Sequence, residues 1–390
     1  MKILFYADTV FGFGGVQRVL AVIAKTLSEK HDVTILSTDT AEDLSMYDYS
    51  KSNVHFEYIS YNERKDIEYY VCKSISYIYK KVLPQNGTTA KLYSYSFFRP
   101  SYKRSLTTKI NKGNYDVVIG VHAFLSLHLA SVRHNLNAKK VIGWMHNSYE
   151  ALFEKKNPYL PGLKSFFANE MKRLNDIVVL SKSDAILFKE HLGLKCKTIY
   201  NPLTLEPHGR ASFDNKKFLA VGRFAPKHKG FDLLIKAFAI FANNNIGWTL
   251  EIVGEGEEEP LYRRMIKEYH LEDRIKLCPF TKDIQKHYTG ASVYVLSSRW
   301  EGFGLVLIEA MSHGLPIISS DLPVAKELLE GKGCATFFKC GDINEMAESM
   351  IDYANTKEWD SLSENAYNTA KLFSIRYIIE LWLQLMRKAN

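Results

Sequence analysis

The chain has 390 residues, of which 46% are hydrophobic and 24% are charged. This length predicts two domains, and this composition is typical of a folded globular protein. No stretch approaches the roughly 20 apolar residues that cross a bilayer, and the start reads directly into a strand with a charge, so no signal peptide is expected. The five cysteines are scattered without C-x-x-C spacing, which argues against a disulfide framework or a zinc site and favours the cytoplasm.

The net charge of +8 is unevenly distributed. Residues 1–190 contain 26 Lys and Arg against 18 Asp and Glu, whereas residues 191–390 contain 25 of each. The first half is therefore predicted to meet something anionic, such as a membrane surface, a phospholipid-linked acceptor or nucleic acid. A solvated basic face without any partner is an equally good interpretation.

Short β-branched or aromatic runs alternate with amphipathic stretches, which is the pattern of a doubly wound α/β fold. The predicted elements of the first half are strands at 2–7, 32–37, 116–121, 139–143 and 177–180 and a helix at 15–30. A second series of strands is predicted at 218–221, 250–253, 275–277, 293–296 and 316–318.

The domain linker is predicted in the aperiodic, proline-bearing stretch 201–215. The sequence thus predicts a first domain over residues 1–200 and a second over 201–372. The last helix contains aromatic residues that suit packing on either domain, and residues 373–390 are expected to pack back on the first.

Residues 69–112 interleave tyrosine and phenylalanine with lysine and arginine. Such a mixture suits a membrane interface, where an apolar body and a polar tip are both satisfied. An ordinary insertion with a tyrosine-rich packing face is an equally good interpretation. Single-stranded nucleic acid also accepts aromatic residues among cations, but no nucleic-acid motif accompanies them, and nucleic acid is not expected as a partner.

Two glycine-bearing turns follow predicted strands. Gly14 and Gly15 come after the first strand and open a helix, where backbone N–H groups favour anions, although a simple tight turn explains them equally well. Arg223 and Lys229 follow the strand that ends at Gly222. Two cations at the carboxyl end of a parallel strand suit a diphosphate, whose charge must be neutralised when it leaves.

The strongest block runs from Ser297 to Met311, after the strand 293–296. Gly302 and Gly304 free the backbone N–H groups at a helix N-terminus to meet phosphate and sugar oxygens. Glu301 lies in the loop and can accept hydrogen bonds from sugar hydroxyls. Glu309, about one turn into the helix, can hold a ribose diol with its two oxygens.

Together these motifs give the sequence a family resemblance that covers nearly the whole chain. It resembles family 4 of the retaining glycosyltransferases, of the bacterial polysaccharide and glycolipid type, with the GT-B fold. The segments that carry the resemblance are Gly14-Gly15, Gly222-Arg223 to Lys229-Gly230, Val253-Gly254-Glu255-Gly256, Glu301 to Glu309, and Gly314-Leu315-Pro316-Ile317. The implied fold is α/β, with two Rossmann-like doubly wound domains that face a cleft.

The resemblance also implies a role for each site residue. It assigns Glu301 to the transferred sugar and His146, in Gly143-Trp144-Met145-His146-Asn147, to the same sugar from across the cleft. The residues that it assigns to the nucleotide-sugar donor are Gly15, Arg223, Lys229, Phe303, Gly304, Leu305 and Glu309. Without the resemblance, His146 would be interpreted as a buried core histidine.

The implied reaction moves a hexose or N-acetylhexosamine from a nucleotide sugar, expected to be UDP-linked, to a glycan or lipid-diphosphate-linked glycan. The family mechanism needs no protein nucleophile, because the leaving phosphate helps to deprotonate the acceptor. No Asp-x-Asp triplet occurs, so neither a metal nor another cofactor is expected. An enzyme that extends a lipid-linked acceptor must reach the membrane surface, so the protein is expected in the cytoplasm, peripherally on the inner face of the membrane.

Two departures and two alternatives accompany this interpretation. Gln17 precedes Arg18 where many members have glutamate, and the loop between Gly222 and Gly230 is one residue longer than a common variant. A non-catalytic protein that only binds a sugar nucleotide would keep the fold. Loss of Arg223, Lys229 or Glu301 would have favoured this alternative, but all three residues are present. A sugar-nucleotide epimerase with two similar domains would not need this helix start together with His146.

Overall fold

A computed structural model describes residues 1–60 and 65–388. The chain divides into two compact units, each built on one parallel β-sheet. The first unit comprises Met1–Pro202 together with the C-terminal helix Ile375–Arg387, and the second comprises Leu203–Ser374.

The first unit contains seven parallel strands in its described residues. They are β1 (Lys2–Ala7), β2 (Asp32–Ser37), β3 (Val54–Tyr58), β4 (Val117–Val121), β5 (Lys140–Trp144), β6 (Asp176–Val179) and β7 (Lys197–Thr198). The helices between them are α1 (Gly15–Ser28), α2 (Ile67–Lys81), α3 (Gly87–Phe97), α4 (Pro100–Gly113), α5 (Ala123–Val132), α6 (Tyr149–Phe153), α7 (Lys164–Met171) and α8 (Lys182–Leu192). The spatial order of the strands is β3-β2-β1-β4-β5-β6-β7.

The second unit repeats this architecture with six parallel strands. They are β8 (Lys217–Val221), β9 (Thr249–Val253), β10 (Ile275–Cys278), β11 (Val293–Leu296), β12 (Ile317–Ser320) and β13 (Ala335–Phe338), in the order β10-β9-β8-β11-β12-β13. Its helices are α9 (Phe231–Ala242), α10 (Glu259–Glu268), α11 (Gln285–Thr289), α12 (Leu305–Ser312), α13 (Pro323–Leu329), α14 (Ile343–Asn355) and α15 (Trp359–Ala370), and the C-terminal helix is α16.

The apolar runs form strands because helices cover both faces of each sheet. All residues of β4 and β5 are buried, as expected for a parallel sheet that is covered on both sides. The register pairs Ile3 of β1 with Val33 and with Val117. The predicted doubly wound α/β fold is therefore confirmed. Three strands were not predicted: β3 and β13 are only partly buried, and β7 has two residues.

The strand order indicates the region of each sheet where a ligand is expected to bind. In each sheet the order reverses beside the first strand, between β1 and β4 and between β8 and β11. Ligands of open α/β sheets bind at such reversal points, outside the carboxyl ends of the strands. The segments that leave these ends are 8–14 and 122 in the first unit and 222–230 and 297–304 in the second. Both predicted glycine-rich turns thus lie at reversal points.

Helix α16 packs within the first unit. The indole ring of Trp382 lies 5.0 Å from that of Trp144 at the end of β5. Lys140 donates from Nζ to the carbonyl of Leu385 at 2.6 Å and pairs with Asp176 at 2.9 Å. A lysine on the last carbonyls of a helix also complements its dipole, so β5 anchors the helix.

The tyrosine- and lysine-rich stretch forms the insertion α2–α3–α4 between β3 and β4. On its inner side, Tyr79 and Tyr93 stack with ring centroids 4.2 Å apart, and Arg99 forms ion pairs with Asp66 and Glu68. Part of the aromatic content is therefore core, as the insertion interpretation predicted. No helix of the described residues is long and apolar enough to cross a membrane.

Candidate donor-binding site

Two loops meet at the reversal point of the second sheet. The backbone oxygen of Ser297 lies so close to Gly230 that a Cβ there would be 2.1 Å from it, and Gly230 has a φ of 66°. Ser297 donates from Oγ to the carbonyl of Lys229 at 2.8 Å. Only glycine satisfies both the space and the backbone angle, so the loops 222–230 and 297–304 are held together at this point.

A third glycine segment supports the first loop from the other side. Gly254, with a φ of 158°, lies against the carbonyl of Gly222, where a Cβ would be 1.9 Å from the oxygen. Phe224 donates its N–H to the carbonyl of Glu255 at 2.8 Å. The Val253–Gly256 motif therefore positions the 222–230 loop at the edge of the sheet.

Lys229 and Glu301 form the ionic centre of the site. The Nζ of Lys229 lies 2.6 Å from Oε1 of Glu301, and the two side chains are only 13% and 8% exposed. Ser298 donates from Oγ to the same oxygen at 2.6 Å. Burial alone would raise the pKa of Glu301, but the Lys229 ammonium and the hydrogen bonds to the carboxylate hold that pKa below its usual range. Glu301 is therefore an anion at neutral pH.

Arg223 lies two residues past the end of β8 and is exposed. Among the described residues its guanidinium has no ionic or hydrogen-bonding partner. The alkyl stem of Lys229 crosses Gly222, and a Cβ there would be 2.9 Å from its Cε. Arg223 and Lys229, the two cations predicted to bind phosphate, therefore belong to one loop. Within the described residues, Arg223 has no partner, whereas Lys229 is paired with Glu301.

Helix α12 begins where the 297–304 loop ends. Gly304 caps it with a φ of 82°, and Leu305 is its first residue. Phe303 is buried, with its ring 6.2 Å from that of Phe373. The unpaired N–H groups of the first helical turn carry a partial positive charge that suits a phosphate.

Glu309 lies in α12 and is 2% exposed. Tyr288 of α11 donates to its Oε2 at 2.9 Å, and Thr204 donates to its Oε1 at 3.4 Å. Burial raises the pKa of the Tyr294 phenol on β11, and the charges of Glu301 and Glu309 raise it further. The carboxylates of Glu301 and Glu309 therefore both contribute to the raised pKa of Tyr294.

Sequence reasoning missed the residues that fix these groups. Arg299 binds Asp232 through two hydrogen bonds of 3.0 and 2.8 Å, and the His228 ring stacks on Trp300 at 4.7 Å. Tyr288 and Thr204 lie in elements distant in sequence from Glu309. The available signal in the sequence was that Arg299 and Trp300 directly precede Glu301. Their partners, Asp232 and His228, lie in another segment and come into contact only when the two loops meet.

In the first unit, Gly15 is the first residue of α1 after Gly14 as its N-cap. Tyr47 donates from its hydroxyl to the carbonyl of Gly12 at 2.9 Å. Gln17, the departure from the family pattern, donates from Nε2 to Oγ1 of Thr9 at 3.0 Å. Gln17 therefore ties the start of α1 to the segment that leaves β1.

His146 lies just past the end of β5 and is 8% exposed. Its Nε2 is buried with no hydrogen-bonding partner among the described residues. Its ring centroid lies 4.2 Å from that of Trp144 and 5.4 Å from that of His122. Burial and, secondarily, His122 lower the pKa of His146 well below its usual range. His146 is thus a neutral imidazole with a free nitrogen.

His122 was not predicted from the sequence. It follows β4 with a φ of 77°, a left-handed conformation that costs a non-glycine residue about 1–3 kcal/mol and concentrates at functional sites. Its N–H donates to the carbonyl of Trp144 at 3.0 Å. Burial lowers the pKa of His122, while the charge of Asp8 opposes that shift.

Among the described residues, one group of potential metal ligands stands out: Glu251, Cys278 and His287, with ligand atoms within 4.8 Å of one another. Lys217 lies 3.2 Å from Oε2 of Glu251, and Nδ1 of His287 lies 2.5 Å from Oε1. The ammonium of Lys217 therefore already neutralises the Glu251 carboxylate, and neither Glu301 nor Glu309 belongs to this group.

Two family profiles match consecutive parts of the chain. "Glycosyltransferase Family 4" covers residues 13–206, and "Glycosyl transferases group 1" covers residues 207–371. An uncharacterized glycosyltransferase of Haemophilus influenzae is 28% identical over 98% of both chains. An amylovoran biosynthesis glycosyltransferase of Erwinia amylovora is 25% identical over 99% of both.

The fold also matches a solved structure. The crystal structure of Anabaena HepE in complex with UDP and glucose superposes with a TM-score of 0.73, 17% identity and 99% coverage of each chain. This likeness establishes the GT-B fold. With two family profiles that together extend from residue 13 to residue 371, the chain belongs to the family 4 glycosyltransferases.

Proposed function

We propose that this glycosyltransferase moves a hexose or N-acetylhexosamine from a UDP-sugar to a glycan or lipid-diphosphate-linked glycan, with retention of the anomeric configuration. The Erwinia relative is a glycosyltransferase of amylovoran biosynthesis, and the HepE structure contains UDP and glucose. Both support this choice of donor and acceptor.

The Lys229–Glu301 ion pair at the sheet reversal is the observation that carries the proposal. A diphosphate brings a negative charge to Arg223 and Lys229, which neutralise the leaving group as the glycosidic bond breaks. Glu301 then turns its anionic oxygens to the hydroxyls of the sugar. Glu309, held by Tyr288, binds the ribose.

His146 has the properties that a sugar-binding imidazole requires. As a neutral ring whose Nε2 has no partner within the described part of the chain, it can exchange hydrogen bonds with a hydroxyl without attracting a second anion. The reaction needs no protein nucleophile, because the departing phosphate oxygen accepts the proton of the acceptor hydroxyl. We propose that the chemistry is also independent of a metal ion.

We also propose that the protein works in the cytoplasm at the inner face of the membrane, because a lipid-linked acceptor lies there. The charge surplus of residues 1–190 supports this location, since cations are attracted to anionic lipid.

A donor screen tests the proposed reaction. Purified protein is incubated with UDP-, GDP- and ADP-sugars, and the release of free nucleotide is measured. We expect release from a UDP-sugar and, with an acceptor, a product whose NMR spectrum shows the anomeric configuration of the donor. Binding of UDP without any release would favour the non-catalytic binding protein, and conversion of the sugar nucleotide without transfer would favour the epimerase.

A further inference from the structure

Helix α2 of the insertion exposes a continuous apolar face. Its members are 45–83% exposed and recur at helical spacing from the first residue of the helix to its C-cap; they are Ile67, Tyr70, Val71, Tyr77, Ile78 and Val82, here called the α2 face. Side chains three, four and seven positions apart lie on one side of a helix. The face therefore extends along the whole length of α2.

The opposite side of α2 is also apolar. Tyr79 is buried there against Tyr93 of α3. This buried side anchors α2 to the protein, but no described residue covers the α2 face. An apolar surface of this kind marks a site of contact with a protein or a membrane.

The exposed charges on α2 itself are positive, and the half-exposed carboxylate of its N-cap, Asp66, is paired with Arg99. Lys73, Lys80 and Lys81 are exposed on the helix. Glu68, the one acidic residue of α2, turns inward, where it pairs with Arg99 and accepts the N–H of Ser101 at 2.9 Å. The exposed surface of α2 thus combines apolar side chains with lysines and no carboxylate.

Two of the three lysines of α4, by contrast, are committed within the protein. Lys103 is half-buried and donates to the carbonyl of Ser94 at 2.5 Å, and burial lowers its pKa. Lys109 pairs with Glu57 at 3.5 Å. α4 also exposes two cations, Arg104 and Lys112, but its apolar side chains are buried, whereas the exposed cations of α2 adjoin an exposed apolar face.

We infer that the α2 face lies in the headgroup region of an anionic membrane, with Lys73, Lys80 and Lys81 on lipid phosphates. Tyrosine and lysine suit this region because each has an apolar body and a polar tip. A second copy of the chain is disfavoured, since two α2 faces would bring their lysines together. This inference deepens the proposed function, because the membrane surface would present a lipid-linked acceptor to the enzyme.

Vesicle co-sedimentation of the full chain tests the inference, with vesicles of phosphatidylglycerol and phosphatidylcholine against phosphatidylcholine alone. We expect the wild type to bind anionic vesicles and to release them at high salt. The variant Ile67→Ser/Tyr77→Ser/Val82→Ser should weaken binding at least 10-fold. The variant Lys73→Gln/Lys80→Gln/Lys81→Gln should weaken it on the order of 100-fold, at about fivefold per lysine near the surface.

Matched controls lie on exposed positions of the second unit. Ile246→Ser/Tyr269→Ser removes apolar surface there, and Lys236→Gln/Lys267→Gln/Lys276→Gln removes the same number of charges. Both controls should bind vesicles as the wild type does. Circular dichroism should show the same helix content in all proteins, so that lost binding is not a loss of folding.

The opposing outcomes are equally specific. The inference is wrong if the wild type ignores anionic vesicles, if the α2 variants bind like the controls, or if analytical ultracentrifugation shows a dimer that the α2 variants dissociate. UDP binding, measured by calorimetry on the same proteins, separates the two proposals. UDP binding without vesicle binding overturns the membrane face alone, whereas a wild type that binds vesicles but no nucleotide overturns the proposed donor site.

Discussion

At the scale of single residues, the site depends on charges that folding has already arranged. Glu301 keeps its negative charge despite burial because Lys229 and Ser298 contact the same oxygen. Arg223 remains exposed and uncommitted among the described residues. Glu301, Lys229 and Arg223 therefore have separable expected roles, which single substitutions distinguish.

Replacement of Glu301 should separate catalysis from nucleotide binding. We expect Glu301→Gln to lose most transfer, because the carboxylate is assigned to the sugar, while UDP still binds to Arg223 and Lys229. Turnover with a UDP-sugar and calorimetry with UDP measure the two properties. Glu257→Gln, an exposed loop position, is the control, and near-wild-type turnover of Glu301→Gln would contradict the assignment.

Replacement of either cation should weaken UDP binding. A lost charge-assisted hydrogen bond costs on the order of 1.5–3 kcal/mol, so Arg223→Ala and Lys229→Ala should each reduce affinity by about 10- to 150-fold. Calorimetry measures this directly. Lys227→Asn is the control, because it removes a cation from the same loop and asparagine tolerates the positive φ of 55° there. Unchanged affinity in both alanine variants would mean that the diphosphate lies elsewhere.

At the scale of elements, the site is a junction of loops that follow different strands. The contact between Gly230 and the Ser297 carbonyl sets the distance between the first loop, which carries Lys229, and the second, which carries Glu301. The Arg299–Asp232 ion pair and the stacked His228 and Trp300 rings join the same loops. The geometry of the ionic centre is thus a property of the junction.

The substitution Gly230→Ala should push the two loops apart. The added Cβ would meet the Ser297 oxygen at 2.1 Å, so we expect loss of UDP binding and destabilisation by about 2–4 kcal/mol. Gly331→Ala is the matched control, since its φ is 71° and nothing lies within 4 Å of the added atom. It should cost only about 1–2 kcal/mol of backbone strain and leave UDP binding intact. Urea unfolding and calorimetry on both variants decide whether the junction matters.

At the scale of the whole molecule, buried histidines and the proposed independence of a metal ion determine how the enzyme should respond to pH and to a chelator. Burial lowers the pKa of His128 and of His146 well below the usual value. Both lie in the first unit, and both are expected to be neutral in the folded protein at neutral pH.

Stability should therefore fall in mild acid. Below about pH 6.5 the unfolded chain binds protons on histidines that stay neutral in the folded protein, so the free energy of unfolding decreases as pH falls. Thermal unfolding at pH 7.5 and 5.5 measures the change in Tm. His146→Gln should reduce this pH dependence relative to the wild type. Equal pH dependence in the two proteins would argue against a buried neutral His146.

Transfer should survive treatment with EDTA. The proposed neutralisation of the diphosphate depends on Arg223, Lys229 and the start of α12. In the Glu251–Cys278–His287 cluster, the ammonium of Lys217 already pairs with Glu251 and would compete with a metal ion. Nucleotide release with and without EDTA is the measurement. Complete loss that added manganese or magnesium restores would show that a metal ion takes part.

The sequence by itself predicted the doubly wound α/β fold, most strands and the motifs of the second unit, because buried parallel strands are continuous apolar runs and glycine turns are local signals. It placed Lys229 and Glu301 in separate motifs 72 positions apart. For residues 69–112 it left a membrane interface and an ordinary insertion as equal interpretations, and the pattern gave no sign that Lys103 and Lys109 are bonded within the protein.

Tertiary structure alone decided which groups meet. The Lys229–Glu301 pair, the tyrosine that holds Glu309 and the strained His122 beside His146 depend on strand order and loop packing. The exposure of the α2 face was equally hidden, because its spacing is that of a core helix. Local sequence preferences determine the elements, but the contacts between distant segments exist only once the sheets have formed.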